Sequence, residues 1–187
     1  GLLIDNCASG GRRLDLETVS RSAPLWRTDY QYYEPNGYQC HTYGLNLYLP
    51  CSGTGNSNPD TYFWRSSLSS ALVFGWDINQ PSFPLVQAKK SMEEFKRLRL
   101  YFYGDYYPLT EYNSSDEAWM AYQFDRPESE DGIVLAFRRN LNTVPSCRIK
   151  LHGLVPAATY AINFEDYGIK MSDVGKSLLE NGLEIKI

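Results

Sequence analysis

Hydrophobic residues are spaced in two ways along this chain, and the spacing changes once. Up to about residue 103, short apolar runs alternate with longer stretches of helical character, which is the pattern of repeated βα units. Leu2-Leu3-Ile4-Asp5 is apolar without polar alternation and predicts a parallel strand covered on both faces. Pro24-Leu25-Trp26-Arg27-Thr28-Asp29 is a second candidate strand. Between Pro81 and Tyr103 the apolar residues Leu85, Ala88, Met92, Phe95, Leu98 and Phe102 recur three and four apart, opposite Lys89, Lys90, Glu93, Glu94, Lys96 and Arg97. They predict a long amphipathic helix, with Gly104 placed to stop it.

After Asp105 the period becomes two. Ala118, Met120, Tyr122 and Phe124 share one face, as do Ile133, Leu135 and Phe137, then Cys147, Ile149 and Leu151. Tyr160, Ile162 and Phe164 repeat the pattern, and Leu183, Ile185 and Ile187 close it. These predict half-buried antiparallel strands, with turns at Arg126-Pro127, Asp131-Gly132, residues 140–145, residues 153–156 and Asn181-Gly182. The fold class that follows is α/β succeeded by all-β: residues 1–104 as βα units and residues 105–187 as a small antiparallel β-sandwich. Four or so βα units cannot close an eight-stranded barrel, and an open parallel sheet leaves an edge needing partners, so the first half reads as incomplete.

Composition changes this picture little. With 187 residues, 43% hydrophobic and 21% charged, the chain is of globular type, and a formal charge of −4 gives no reason to expect nucleic acid as partner. The longest apolar runs fall far short of a membrane span, and the first residues lack the basic region of a cleavable signal. The cysteines Cys7, Cys40, Cys51 and Cys147 show no paired spacing for zinc, and their number is too small for a disulfide scaffold, which fits a reducing compartment. Aromatic residues stand out, with 15 Tyr, 8 Phe and 4 Trp; such faces stack on sugars and equally fill cores.

Two clusters carry candidate chemistry. Asp5-Asn6-Cys7-Ala8-Ser9-Gly10-Gly11-Arg12-Arg13-Leu14-Asp15 follows the first predicted strand, where βα architectures hold their ligands and where glycines let backbone N–H groups approach closely. The alternative for this run is a tight βα turn with a capping Ser or Asp; as a phosphate cradle it lacks the required lysine motif. Trp26-Arg27-Thr28-Asp29-Tyr30 ends the second strand: a carboxylate beside an arginine and two rings suits acid/base work, and an isolated helix-capping Asp is the competing role. Both clusters end successive strands and so share one rim. Phe74-Gly75-Trp76-Asp77 ends a further candidate strand, with Trp76 as core and Asp77 as cap the simpler roles. His41, in the candidate helix around Gln39-Cys40-His41-Thr42-Tyr43, has no nucleophile beside it and reads as structural.

The run from Cys7 to Asp15, then Trp26-Arg27-Thr28-Asp29, then Gly44-Leu45-Asn46-Leu47-Tyr48-Leu49-Pro50, resembles the second half of the catalytic barrel of glycoside hydrolase family 36, the α-galactosidases. The stretches 151–160 and 175–183 resemble that family's closing β-domain. The resemblance implies a partial (β/α)8 barrel followed by an antiparallel β-sandwich, a retaining hydrolase of terminal α-galactosides, and no cofactor or metal. It implies Asp29 as the general acid/base, with Thr28 in place of the usual Ser, and Cys7 against the galactose 2-hydroxyl. Ser9, Gly10 and Gly11 would close the same subsite, with Arg13 beside that loop and Trp26 as a wall. The family's nucleophile lies in a Lys-Trp-Asp motif one strand earlier, and this chain has no such motif; Trp76-Asp77 comes at the wrong place in the order. The implied ligand is an α-galactoside oligosaccharide or galactose, with self-association left open. Alternatives are a galactosyltransferase, an α-N-acetylgalactosaminidase, or a non-catalytic sugar-binding module that uses Trp119 on the β-rich half.

Overall fold

A computed structural model describes residues 2–7, 11–29 and 34–186. The chain divides into two compact units, Gly1–Gly104 and Asp105–Ile187.

In the first unit strand and helix alternate four times: β1 (Asp5–Cys7), α1 (Leu16–Val19), β2 (Ala23–Trp26), α2 (Pro35–Leu45), β3 (Gly53–Asn56), α3 (Thr61–Ser66), β4 (Ala71–Phe74) and α4 (Leu85–Leu98). β1 pairs in parallel with β2, setting Cys7 opposite Trp26, and β3 pairs in parallel with β4 from Gly53–Ala71 to Asn56–Phe74. The two pairs meet where Arg27 N–H donates to the Gly53 carbonyl at 3.0 Å. A Cβ at Gly53 would lie 2.2 Å from the Leu25 carbonyl oxygen, so only glycine permits this approach. Within each pair the strands run parallel, so their C-terminal ends lie on one side, and the Arg27–Gly53 hydrogen bond sets the end of β2 beside the start of β3. Asp15 and Asp60 start α1 and α3 by accepting from backbone N–H groups of the first turn. Trp64 is fully buried, in ring contact with Phe74 and Phe95, and its Nε1 donates to Glu94 Oε2 at 3.1 Å, which binds α3 to α4.

Two expectations for this unit are corrected. Leu2, Leu3 and Ile4 are exposed, and the strand begins only at Asp5. Among the described residues β1 pairs with β2 alone. The long helix ends at Leu98 with Arg99 as its C-cap, and a separate 3₁₀ turn, Tyr101–Tyr103, precedes Gly104. Ala88 and Ser91 are its buried residues, whereas Leu85 in its first turn is exposed.

The second unit is antiparallel. β5 (Asp105–Pro108), β6 (Trp119–Arg126) and β7 (Asp131–Arg138) form one sheet in that order. β8 (Ser146–Ile149) pairs with β11 (Leu183–Lys186), and β9 (Thr159–Phe164) forms a hairpin with β10 (Ile169–Val174). A short helix, α5 (Gly175–Glu180), joins β10 to β11. Alternate side chains of the three sheets meet in one core, in which Ala121, Ile149, Leu151, Leu178 and Leu183 are buried. β6 departs from the half-buried pattern: Met120, Tyr122 and Phe124 are buried on one face, and Ala121, Gln123 and Asp125 on the other. As the central strand of its sheet it has no edge to solvent. The reversal before β7 is the 3₁₀ turn Pro127–Ser129 with Glu130 at φ 54°, so Asp131-Gly132 begins the strand and is not the turn.

Candidate active site

β1 and β2 end side by side and deliver the two clusters to one place. Cys7, the last residue of β1, is an exposed free cysteine whose strand partner is Trp26, the half-buried last residue of β2. Arg13 folds back over this end, its guanidinium donating to the Cys7 carbonyl at 3.1 Å, while Asn6 Nδ2 donates to the Arg13 carbonyl at 2.7 Å. Gly11 turns the loop with φ 89° into open space. Ser9 and Gly10, the other predicted members of this loop, lie outside the described residues. Asp15 caps α1 through the Thr18 backbone and hydroxyl, and those hydrogen bonds hold its carboxyl below the usual range.

Three residues past the end of β2, Asp29 is exposed, and among the described residues its carboxylate takes part in no hydrogen bond or ion pair. It is not the cap of the following helix, because α2 starts at Pro35 and its cap position is Glu34. The expected Arg27 beside this carboxylate is corrected. Arg27 is 1% exposed, and its guanidinium donates to Thr42 Oγ1 on α2 at 2.7 Å. The side chain therefore turns inward while Asp29 turns out. The resulting arrangement is an exposed carboxylate with no partner among the described residues, an exposed thiol, an aromatic ring and an arginine-braced loop at the C-terminal ends of two paired parallel strands. A carboxylate so placed is free to exchange a proton with a ligand held at that rim.

The ends of β3 and β4 carry a polar node that apolar patterning cannot reveal. Asn56 is fully buried; its Nδ2 donates to Ser67 Oγ at 2.9 Å, and its Oδ1 accepts from Trp76 Nε1 at 2.8 Å. Trp76, half-buried, also touches Phe74 and Phe83. Asp77 accepts from Asn79 N–H and Gln80 Nε2. His41 lies within α2, and burial together with the charge of Arg27 lowers its pKa to about 4, which keeps it neutral at pH 7. An open pocket lined by Leu16, Val19, Pro24, Tyr48 and Pro50 sits at the opposite, N-terminal ends of β2 and β3, away from Asp29. Trp119, at the start of β6, is half-buried, and its Nε1 donates to the Val144 carbonyl at 3.0 Å. Among the described residues no three His, Cys, Asp or Glu converge as metal ligands, and no helix is long and apolar enough to cross a membrane.

The chain has the fold found in glycoside hydrolase family 36 α-galactosidases. Three solved relatives match it along its whole length. They are the α-galactosidase AgaB of Geobacillus stearothermophilus (TM-score 0.76, 19% identity), an AgaA variant from the same organism solved with raffinose (0.75, 17%), and the galactosidase domain of the α-galactosidase–sucrose kinase AgaSK (0.74, 20%). This chain covers 27% of each. Among curated proteins, the probable α-galactosidase C of Aspergillus terreus is 26% identical over 194 residues, covering 93% of this chain and 25% of that protein. No family model matches the chain. The family likeness read from the sequence is thus found again in both comparisons, and the chain spans about a quarter of the length of these relatives.

Proposed function

We propose that this chain is part of a retaining α-galactosidase in which Asp29 is the general acid/base. On this reading the first unit contributes four βα units of a (β/α)8 barrel, and the second is the β-sandwich that follows it. The observation that carries the proposal is the exposed carboxylate of Asp29, without a partner among the described residues, three residues past the end of β2 where Cys7 pairs with Trp26, in a chain similar throughout to α-galactosidases. Solved relatives complexed with raffinose and with 1-deoxygalactonojirimycin support a terminal α-galactoside as ligand.

Retaining hydrolysis needs two carboxylates about 5–5.5 Å apart. One attacks the anomeric carbon; the other protonates the departing oxygen and then takes a proton from the incoming water. Asp29 fills the second role. Cys7, Ser9, Gly10, Gly11, Arg13 and Trp26 form the sugar subsite, with Arg13 bracing the loop through the Cys7 carbonyl. The nucleophile comes from another part of the polypeptide, since these 187 residues contain no Lys-Trp-Asp run. General acid catalysis alone gives about 10²–10⁴-fold, far below the acceleration glycosidases achieve. The 187-residue chain incubated with an aryl α-galactoside should therefore release phenol at most about 10⁴-fold above the uncatalysed rate, negligible beside a complete glycosidase; turnover at glycosidase rates, abolished by Asp29→Ala, would show that it holds a complete site.

A further inference from the structure

Arg27 stands two residues before Asp29, yet it is 1% exposed. Its guanidinium reaches three oxygens, two on α2 and one just ahead of β3. One nitrogen donates to Thr42 Oγ1 at 2.7 Å and, at a longer 3.4 Å, to the Tyr38 carbonyl; another lies 3.4 Å from Ser52 Oγ. Tyr38 and Thr42 are four residues apart and so lie on the same face of α2. Ser52 enters β3 and is itself tied to Ser70 ahead of β4 by two 3.0 Å bonds, Ser52 N–H to Ser70 Oγ and Ser70 hydroxyl to the Ser52 carbonyl. The backbone N–H of Arg27 adds the 3.0 Å bond to Gly53 that joins β2 to β3.

A buried guanidinium bears a large desolvation cost, and apolar replacements of buried charges are often neutral or stabilising. Stability alone is then a poor reason for an arginine at this place. Its planar fork does what an apolar side chain or a lysine cannot: it reaches acceptors on separate elements at once. We infer that Arg27 is a positioning residue, which clamps the end of β2 to α2 and to the entry of β3 so that the Thr28-Asp29 turn presents its carboxylate at a fixed height and angle. The inference rests on the proposed acid/base role of Asp29.

The test uses the complete galactosidase that contains this chain. Arg27→Met, Arg27→Lys, Thr42→Val and Asp29→Ala are compared on an alkyl α-galactoside, whose leaving group needs a proton, and on 2,4-dinitrophenyl α-galactoside, whose leaving group does not. A displacement near 1 Å can cost about 10²-fold, so Arg27→Met should lose about that much kcat/KM on the alkyl substrate and only a few fold on the activated one. Thr42→Val, which removes one bond to a charged group, should lose about 10-fold with the same selectivity. Arg27→Lys should recover part of the loss. Thr42→Val carries the test if Arg27→Met fails to fold. Equal losses on both substrates, or no loss, would overturn the inference. If Asp29→Ala splits the substrates and the Arg27 and Thr42 variants do not, the positioning role alone fails; if Asp29→Ala does not split them, the acid reading fails and this inference with it.

Discussion

The two units are held together by different forces. In the first, the buried interior is largely polar: Arg27, Gln39, Thr42, Thr54, Asn56 and Ser67 are all within a few per cent of complete burial. Side-chain hydrogen bonds such as Gln39 to Ser66 and Asn56 to Ser67, both 2.9 Å, link its elements. In the second, Ala121, Ile149, Leu151, Leu178 and Leu183 make an apolar core from alternating strand positions. Burial of apolar surface is non-directional and tolerates small displacements, whereas a buried hydrogen-bond network fixes distances and angles and is costly when one member is lost. The candidate catalytic carboxylate stands on the unit whose interior is directional, which is what a site demanding fixed geometry requires.

Substitutions can test that contrast. The largest effect is expected at Gly53: a valine Cβ would meet the Leu25 carbonyl oxygen at 2.2 Å with backbone on both sides, so Gly53→Val should destabilise the β2–β3 junction by about 3 kcal/mol or more. Loss of amide protection at Arg27, whose N–H donates to Gly53, would report it; unchanged protection would mean that the two strands do not depend on this approach. Next comes Leu178→Ala, which empties a fully buried position in the apolar core and should cost about 3 kcal/mol in denaturant titration, while the alternating strands still pair.

The smallest effect concerns Asp125, the one polar exception in the second unit's sheet to carry a buried carboxyl. Its strand partner across β5 is Asp105, so two acids stand directly opposite. Burial first, then the charges of Asp105, Asp131 and Glu128, raise its pKa above the usual carboxylate value, against the hydrogen bond with Gln123. The folded chain then holds this proton to higher pH than the unfolded one. The group's stabilising contribution is full in acid, below the unfolded carboxylate range, and is lost as pH rises through the folded value. Asp125→Asn should raise the melting temperature slightly at neutral pH and flatten its dependence on pH; a lowered melting temperature at neutral pH would contradict this.

Legibility in the sequence follows the same division. β6, β7, β8, β9 and β11 were readable because apolar residues alternate along them, and α4 because its apolar residues fall three and four apart. β3 was not: Gly-Thr-Gly-Asn is completely buried, yet its place depends on a missing side chain at Gly53 and on hydrogen bonds at Asn56, neither of which leaves an apolar signature. β10 was missed because it is mostly exposed, so nothing selects apolar residues along it. At the site, the residue types of Cys7, Arg13, Trp26 and Asp29 were legible from their position after predicted strands. The inward turn of Arg27 was not, because its partner Thr42 is fifteen residues away on another element.

The central claim is that Asp29 gives and takes the proton in a retaining α-galactosidase. Its most direct test is Asp29→Ala in the complete enzyme, with kcat/KM measured across α-galactosides of graded leaving-group acidity. Loss should be about 10²–10⁴-fold for alkyl leaving groups and shrink steadily as the leaving group becomes more acidic. A loss equal across the series, or none, would contradict the assignment.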